Sequence, residues 1–237
     1  GPTLRKLVTA ARFNPSLPYL SFLCINYDAP VVKEAASWFL DGVFLNYNSS
    51  YLERMLEQLL DEAESPEVTR FLRAVDVRID GFRVEKAPEW RGQRVYVRHE
   101  VDGKGYELRL SEESAGTQKL MGLAAYLMTA LERGSTVVVD ELDAKLHPKL
   151  LRYVILLFKD PAVNKNGAQL IFSSQDVSTM RNDVFRRDEI WFAARGEGEA
   201  SQLWSLADIH EANGNLVSKN AAFDKQYLSG RYGADPY

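Results

Sequence analysis

Apolar residues in the first third of the chain recur every three or four positions, which is the spacing of one face of an α-helix. One helix is predicted to open at Pro30, and a second to follow residue 49 or 50. A third is predicted to begin at Ser65-Pro66-Glu67, which fits an N-cap, a first helical proline and an acidic first turn. The pattern therefore predicts a helical lobe over residues 1–80.

The spacing then changes to two, which is typical of β-strands. Alternating apolar and polar residues predict strands over 81–84, 94–98 and 106–110. The segment Asp102-Gly103-Lys104-Gly105 is expected to join the last two strands as a hairpin.

From residue 110 onward the sequence alternates helix and strand patterns, as in an α/β domain. Uniformly apolar, β-branched runs indicate strands buried on both faces, and Gly134 is expected to end the longest helix. The predicted elements are helices over Thr117–Arg133 and Pro148–Phe158, buried strands over Thr136–Val139 and Gln169–Phe172, and a strand pair over 189–193 and 202–206. We therefore predict an α/β fold for residues 81–237.

Composition narrows the class of protein. Hydrophobic residues make up 46% and charged residues 26%, the balance of a soluble globular protein, and no apolar run approaches the ~20 residues that cross a bilayer. The formal net charge of -4 excludes an overall positive potential that would attract nucleic acid to the whole surface, although a local basic patch that binds nucleic acid is still possible. Cys24 is the only cysteine, so disulfide scaffolds are excluded and a buried thiol in a reducing cytoplasm is expected.

Two smaller features complete the general picture. The chain starts with Gly1-Pro2 rather than Met, which is typical of a protease-cleaved junction, so we expect it to begin inside a longer protein. The three histidines are scattered and indicate no metal site beyond Mg²⁺. Of these, His99 is expected to lie on the surface of an alternating strand.

Two carboxylates, Asp140 and Glu141, directly follow the valine run. Ligands bind at the carboxyl ends of strands in open α/β sheets. Asp140 can hold Mg²⁺, which prefers few carboxylates plus phosphate oxygens, and Glu141 can polarise an attacking water as a general base. This is the Walker B arrangement; the alternative is two solvated acids at a strand end.

Small residues precede the long helix. The segment Ser114-Ala115-Gly116-Thr117 places a hydroxyl and free backbone N–H groups at a helix N-terminus. That end carries a partial charge of about +0.5 and attracts phosphate, and small side chains let the backbone approach a ligand closely. The alternative is an ordinary N-cap.

Two further segments follow in order. His147 precedes Pro148, so it can cap the next helix. It is also the middle residue of the sequence Leu146-His147-Pro148, which lies in the loop between the strand and that helix. Gln175 follows the second apolar strand. Its amide can donate a hydrogen bond to phosphate but cannot become charged.

The order of these segments resembles that of ABC-type ATPase heads: signature, long helix, Walker B, D-loop and switch strand. Residues 113–117, 140–143, 187–192 and 227–236 are further similar to bacterial ATPases of abortive-infection and restriction-linked operons, of the RloA and AbiL kind. The resemblance implies a P-loop NTPase-like sheet with flanking helices, a cytoplasmic homodimer formed through the ATPase heads, and a nuclease or toxin partner.

The resemblance also implies roles for individual residues, with ATP and Mg²⁺ as ligands. Asp140 would hold the metal, and Glu141 and Gln175 would act in catalysis. The implied nucleotide-binding residues are Ser114, Ala115, Gly116, Thr117, Lys119 and His147. No Gly-x-x-x-x-Gly-Lys-Ser/Thr motif occurs, so the N-terminal β and Walker A part is expected to be missing and the chain alone to hydrolyse ATP poorly or not at all.

Two other functions stay open at this point. One is a DNA repair or recombination ATPase of the SMC-like or RecF sort, which predicts a long coiled coil or a DNA-binding groove. The other is a non-catalytic, nucleotide-regulated scaffold, which Gln175 and the absent Walker A sequence favour. Arg181, Arg186 and Arg187 follow the switch strand and are expected to form a solvated basic patch rather than a DNA contact.

Overall fold

The computed structural model describes residues 18–41, 43–46, 66–75, 79–87, 92–195, 200–211 and 214–234. It divides into two compact units, Gly1–Phe44 and Leu45–Tyr237. The helix predicted after residue 49 or 50 and the predicted cap at Ser65 lie outside the described residues.

Among its described residues, the first unit contains the helices α1 (Tyr19–Asn26) and α2 (Pro30–Asp41). The helix predicted at Pro30 is confirmed, and proline suits that place because the first helical N–H has no intrahelical acceptor. Cys24, predicted to be buried, is only half-buried, and its thiol lies 3.6 Å from the carbonyl oxygen of Val32.

The remaining elements alternate helices and strands, which confirms the predicted α/β fold. The strands are β1 (Val43–Asn46), β2 (Gly81–Ala87), β3 (Gly92–Val101), β4 (Lys104–Arg109), β5 (Thr136–Asp140), β6 (Gln169–Phe172), β7 (Trp191–Arg195) and β8 (Ser201–Ser205). The helices are α3 (Pro66–Ala74), α4 (Ala115–Arg133), α5 (Pro148–Lys159) and α6 (Phe223–Leu228). Short 3₁₀ turns span Leu110–Glu112, Val177–Thr179, Arg187–Glu189 and Leu206–Asp208.

Strands β2, β3 and β4 form an antiparallel sheet in chain order. The turn between β3 and β4 consists of Asp102 and Gly103, both with positive φ (52° and 74°). That conformation matches the right-handed twist of the flanking strands, and Asp-Gly adopts it readily. The hairpin turn is therefore two residues long, and the predicted turn residues Lys104 and Gly105 belong to β4.

Helix α4 crosses the core of the second unit. Ser114 caps its N-terminus, since the Oγ atom accepts a hydrogen bond from the Thr117 amide at 3.1 Å. Gly134 ends it in the left-handed conformation with φ 71°. The predicted leucine ridge is confirmed as buried: Leu120, Leu123, Leu127 and Leu131.

The parallel pair of β5 and β6 belongs to a sheet with the order β1-β5-β6. Its register places Val139 opposite Phe172, so the residues after the two strands meet at one edge. The prediction that β6 is buried on both faces is wrong, because Gln169 is exposed and Ile171 keeps 55% of its surface accessible. In the described part of the sheet, β6 is an edge strand and nothing covers the outer side of Ile171.

Two further groupings concern the ends of the second unit. Helix α3, assigned from the sequence to a helical lobe ending at residue 80, lies in this unit, and its Phe71 ring packs 5.8 Å from that of Tyr153 in α5. Strands β7 and β8 form a separate antiparallel pair. One face of this pair packs into a small core: Ile190, Phe192, Leu206, Val217, Phe223 and Tyr232.

Candidate functional site

Asp140 is the last residue of β5, and its carboxylate is exposed to solvent. The hydroxyl of Ser173, which directly follows β6, donates a hydrogen bond to Asp140 Oδ1. The predicted end-of-strand carboxylate is therefore present at the carboxyl edge of the parallel pair, where α/β sheets bind ligands.

Glu141 adopts a left-handed backbone conformation with φ 49°. For a residue with a Cβ this conformation costs roughly 1–2 kcal/mol, and such outliers concentrate at functional sites. The Glu141 amide donates to Ser173 Oγ at 2.8 Å, and the next amide, that of Leu142, donates to the Ser173 carbonyl at 3.0 Å. The turn after Asp140 is thus held by the neighbouring strand.

The segment Glu141–Lys145, which we call the turn loop, forms a compact structure. The Ala144 amide donates to the Glu141 carbonyl at 3.0 Å, and the Leu146 amide donates to the Asp143 carbonyl at 2.9 Å. The loop closes at Lys145, again in the left-handed conformation with φ 62°. His147 then caps α5, because its Nδ1 accepts from the Lys149 amide at 3.2 Å. The predicted cap is confirmed, and the His147 side chain is exposed.

Lys119, predicted to contact nucleotide, is instead buried, with 1% of its surface accessible. Its ammonium donates to the carbonyl oxygens of Glu141 at 2.8 Å and Ala144 at 2.7 Å. Burial lowers the pKa of Lys119 to about 8, an effect that the carboxylates of Asp143 and Glu141 partly oppose. Lys119 therefore joins α4 to the turn loop through these two hydrogen bonds, which is a positioning role rather than the expected contact with phosphate.

The N-terminus of α4 lies against the same loop. A Cβ built on Gly116 would stand 3.0 Å from the Lys145 carbonyl oxygen, so only glycine fits there without a shift. Ser114 and Ala115 are exposed, and Thr117 is half-buried, with its hydroxyl 2.9 Å from Ser114 Oγ. The positive end of the helix dipole is thus brought next to the segment that follows Asp140.

Gln175 lies beyond β6 at the same edge, and its side chain is exposed. Its backbone N–H donates to Asp143 Oδ1 at 3.3 Å, which connects the segment after β6 to the turn loop. The structure therefore brings Asp140, Glu141 and Gln175 to one sheet edge.

Sequence reasoning missed Ser173, the residue that contacts both carboxylate-bearing positions. It also assigned no partners to the arginines after β6. Arg181 pairs with Asp183 at 3.0 Å, Arg186 pairs with Asp188 at 2.8 Å, and Arg187 donates to the Val217 carbonyl. Two arginines of the expected basic patch, Arg181 and Arg186, are thus paired with local carboxylates, whereas Arg187 contacts a main-chain carbonyl.

The residues at this edge fit the Mg²⁺ that the sequence implies. Mg²⁺ is usually held by one or two carboxylates together with substrate phosphates rather than by an all-protein cage. Among the described residues there is no cluster of three or more His, Cys, Asp or Glu side chains. A single exposed aspartate beside a phosphate-attracting helix end matches the first arrangement.

Comparison with known protein families gives one decisive match. The family described as "AAA domain, putative AbiEii toxin, Type IV TA system" matches residues 14–181. The chain belongs to this family. The matched region contains α4, β5, the turn loop and β6, so the sheet edge described above lies within the AAA domain.

Other comparisons add less to the AAA assignment. Curated proteins include no match to this chain. Among solved structures, the chain is similar to the crystal structure of an Smc head domain with a coiled coil and joint from Pyrococcus yayanosii, at 17% identity and a TM-score of 0.42. The match covers 68% of this chain and 28% of the Smc chain.

No helix among the described residues is long and apolar enough to cross a membrane.

Proposed function

We propose that this AAA-domain chain is the ATP-binding and ATP-hydrolysing part of an anti-phage defence protein of the abortive-infection type. In the complete protein, two heads would close on ATP and Mg²⁺ and thereby control a nuclease or toxin partner. The family's description refers to an AbiEii toxin and a type IV toxin–antitoxin system, which supports this class of biological role.

The observation that carries the proposal is the meeting of Asp140, Glu141 and Gln175 at one edge beside the N-terminus of α4. The link is physical: Lys119 joins α4 to the carbonyls of the turn loop, and Gly116 lies against Lys145. An ordinary capped helix and two solvated acids would not require this connection.

Each residue has a proposed task in this arrangement. Asp140 would hold Mg²⁺, and the Mg²⁺ would neutralise phosphate charge. Glu141 would orient and deprotonate the attacking water, while Gln175 would donate a hydrogen bond to the terminal phosphate. In a head-to-head dimer, the residues at the start of α4 together with His147 would contact the nucleotide held by the other head. These contacting residues are Ser114, Ala115, Gly116 and Thr117.

One observation favours a second candidate, a nucleotide-regulated scaffold with marginal turnover. Gln175 cannot take up a proton, and this sequence contains no Walker A motif. In that case ATP binding would close the dimer, and partner release would not depend on hydrolysis.

The test uses the full-length protein, purified with Mg²⁺ and ATP. We expect Glu141→Gln to reduce kcat at least about 100-fold, because general-base catalysis contributes roughly 10²–10⁴-fold, and to trap an ATP-bound dimer in light scattering. Glu132→Gln, an exposed glutamate near the other end of α4, serves as the matched control.

The outcomes separate the candidates. Unchanged turnover in Glu141→Gln removes Glu141 from its role. ATP-dependent dimerisation without measurable turnover in the wild-type protein selects the scaffold. Absence of both ATP binding and dimerisation in the full-length protein overturns the proposal.

A further inference from the structure

Ser173 makes two side-chain hydrogen bonds with one hydroxyl group. Its Oγ donates to Asp140 Oδ1 and accepts the Glu141 amide at 2.8 Å. The directions are compatible, because a serine hydroxyl has one hydrogen to donate and lone pairs to accept. The side chain directly after β6 therefore contacts both the last residue of β5 and the residue that follows it.

The backbone of Ser173 is fixed independently of this hydroxyl. Its amide donates to the Val139 carbonyl at 3.1 Å, and its carbonyl accepts the Leu142 amide at 3.0 Å. These bonds extend the parallel ladder beyond Val139 and Phe172. Removing the hydroxyl should consequently leave the strand pair intact and affect only the two bonds at the site.

The two hydrogen bonds of the Ser173 hydroxyl act on different groups. The bond to Oδ1 orients the Asp140 carboxylate and leaves its second oxygen for a cation. The bond to the Glu141 amide supports a left-handed residue, φ 49°, whose conformation decides where the Glu141 side chain begins. Outer partners that orient a metal-binding carboxylate typically contribute about 10–100-fold to metal affinity or activity.

We propose that Ser173 is a positioning residue that sets the Asp140 carboxylate and the Glu141 backbone for metal binding and water activation. The proposal rests on the function proposed above, but its structural part can be tested without turnover. Ser173 would not touch the nucleotide; it acts through Asp140 at the end of β5 and through Glu141 directly after it.

The neighbouring serine provides a matched control. Ser174 is also exposed, but its Oγ bonds to the backbone of Asp176, accepting from the amide at 3.0 Å and donating to the carbonyl at 3.4 Å. Ser173→Ala and Ser174→Ala therefore remove the same atom from adjacent residues. Ser173→Thr restores the hydroxyl, and the exposed position leaves room for the added methyl group.

The first experiment measures hydrogen exchange at the Glu141 amide in the full-length protein without nucleotide. In Ser173→Ala we expect exchange at the Glu141 amide to accelerate about 10-fold or more, because the local opening that exposes this amide becomes easier. Exchange should stay unchanged in Ser174→Ala and near the wild-type rate in Ser173→Thr. Equal Glu141 exchange in wild type and Ser173→Ala would overturn the proposal even if the protein never hydrolyses ATP.

The second experiment titrates Mn²⁺, detected by electron paramagnetic resonance, and measures kcat and KM for ATP. Ser173→Ala should weaken Mn²⁺ binding and lower kcat by about 10-fold or more, with KM for ATP changed little and with Thr restoring both. A wild-type protein without turnover would sink the proposed function alone. Wild-type metal affinity and kcat in Ser173→Ala would sink the role of Ser173 alone.

Discussion

His99 Nε2 on β3 lies 2.5 Å from Glu113 Oε1, and both side chains are largely buried, with 19% and 9% of their surface accessible. The expectation that His99 is a surface histidine is therefore wrong. Glu113 directly precedes the cap residue Ser114, and its carbonyl accepts a hydrogen bond from Gln118 Nε2 at 2.8 Å. The pair connects the antiparallel sheet to the N-terminus of α4.

We predict that His99→Phe lowers the free energy of unfolding by about 1–3 kcal/mol, because a buried carboxylate would lose a charge-assisted partner. Glu113→Gln keeps an acceptor for the ring and should lose less. Urea denaturation followed by circular dichroism measures both values. If His99→Phe is as stable as the wild type, the pair is not a structural link.

Lys119→Met tests whether the hydrogen bonds of Lys119 hold the turn loop against α4. At neutral pH we expect global stability to change by only about 1 kcal/mol. Lost charge-assisted hydrogen bonds, roughly 1.5–3 kcal/mol each, are offset by no longer burying an ammonium. Amides of the turn loop, such as Leu142, should nevertheless exchange faster, as hydrogen exchange by NMR can measure. Unchanged amide exchange in the turn loop would contradict the positioning role of Lys119.

The same variant gives a pH prediction. Folded Lys119 has a pKa of about 8, below its ordinary value of 10.5. Between these values the unfolded chain holds a proton that the folded chain has released, so this residue's contribution to stability rises with pH. The difference in unfolding free energy, wild type minus Lys119→Met, should therefore increase from pH 8 to pH 10.5. A flat or falling difference would show that the ammonium is not desolvated.

Gly134 and Gly167 form a matched pair for separating backbone strain from steric clash. Both have φ near 71°, but a Cβ on Gly134 would stand 2.3 Å from the Asn166 carbonyl oxygen, whereas Gly167 has nothing within 4 Å. We predict that Gly167→Ala costs about 1–2 kcal/mol from conformation alone and that Gly134→Ala costs clearly more. Thermal and urea unfolding check the order. Equal losses would mean that the end of α4 can shift away from Asn166.

Gly116→Ala probes the contact between α4 and the turn loop. Alanine favours a helix over glycine by about 1 kcal/mol, yet its Cβ would crowd the Lys145 carbonyl at 3.0 Å. We expect stability close to wild type and a several-fold loss of ATPase activity in the full-length protein. Gly105→Ala, where a Cβ meets nothing within 4 Å, is the control. Full activity in Gly116→Ala would show that close packing there is dispensable.

The sequence predicted those parts of the fold that local pattern determines. Ser114, Gly134 and the leucine ridge define α4, and the valine run before Asp140 defines β5. The exposure of Ile171 departs from the local pattern, since a continuous apolar run is typical of a strand covered on both faces, whereas the place of β6 at the edge of the described sheet depends on which strands pair.

The missed and corrected site residues depend on contacts between distant parts of the chain. Ser173 meets Asp140 only through the parallel register, 33 residues away in sequence. Lys119 is buried because two carbonyls, 22 and 25 residues away, receive its ammonium. A lysine after a helix start otherwise indicates an exposed cation, and no local signal distinguishes the two cases.

The turn loop differs from a phosphate-binding nest in one respect. Its amides at Glu141, Leu142 and Ala144, and that of Leu146 just beyond, already donate to acceptors within the chain. These four main-chain groups are consequently not free to bind an anion, so we expect the side chains at these positions to contribute more to ligand selectivity than the amides do. Ligand preference at this edge could then change through single substitutions while the loop itself keeps its shape.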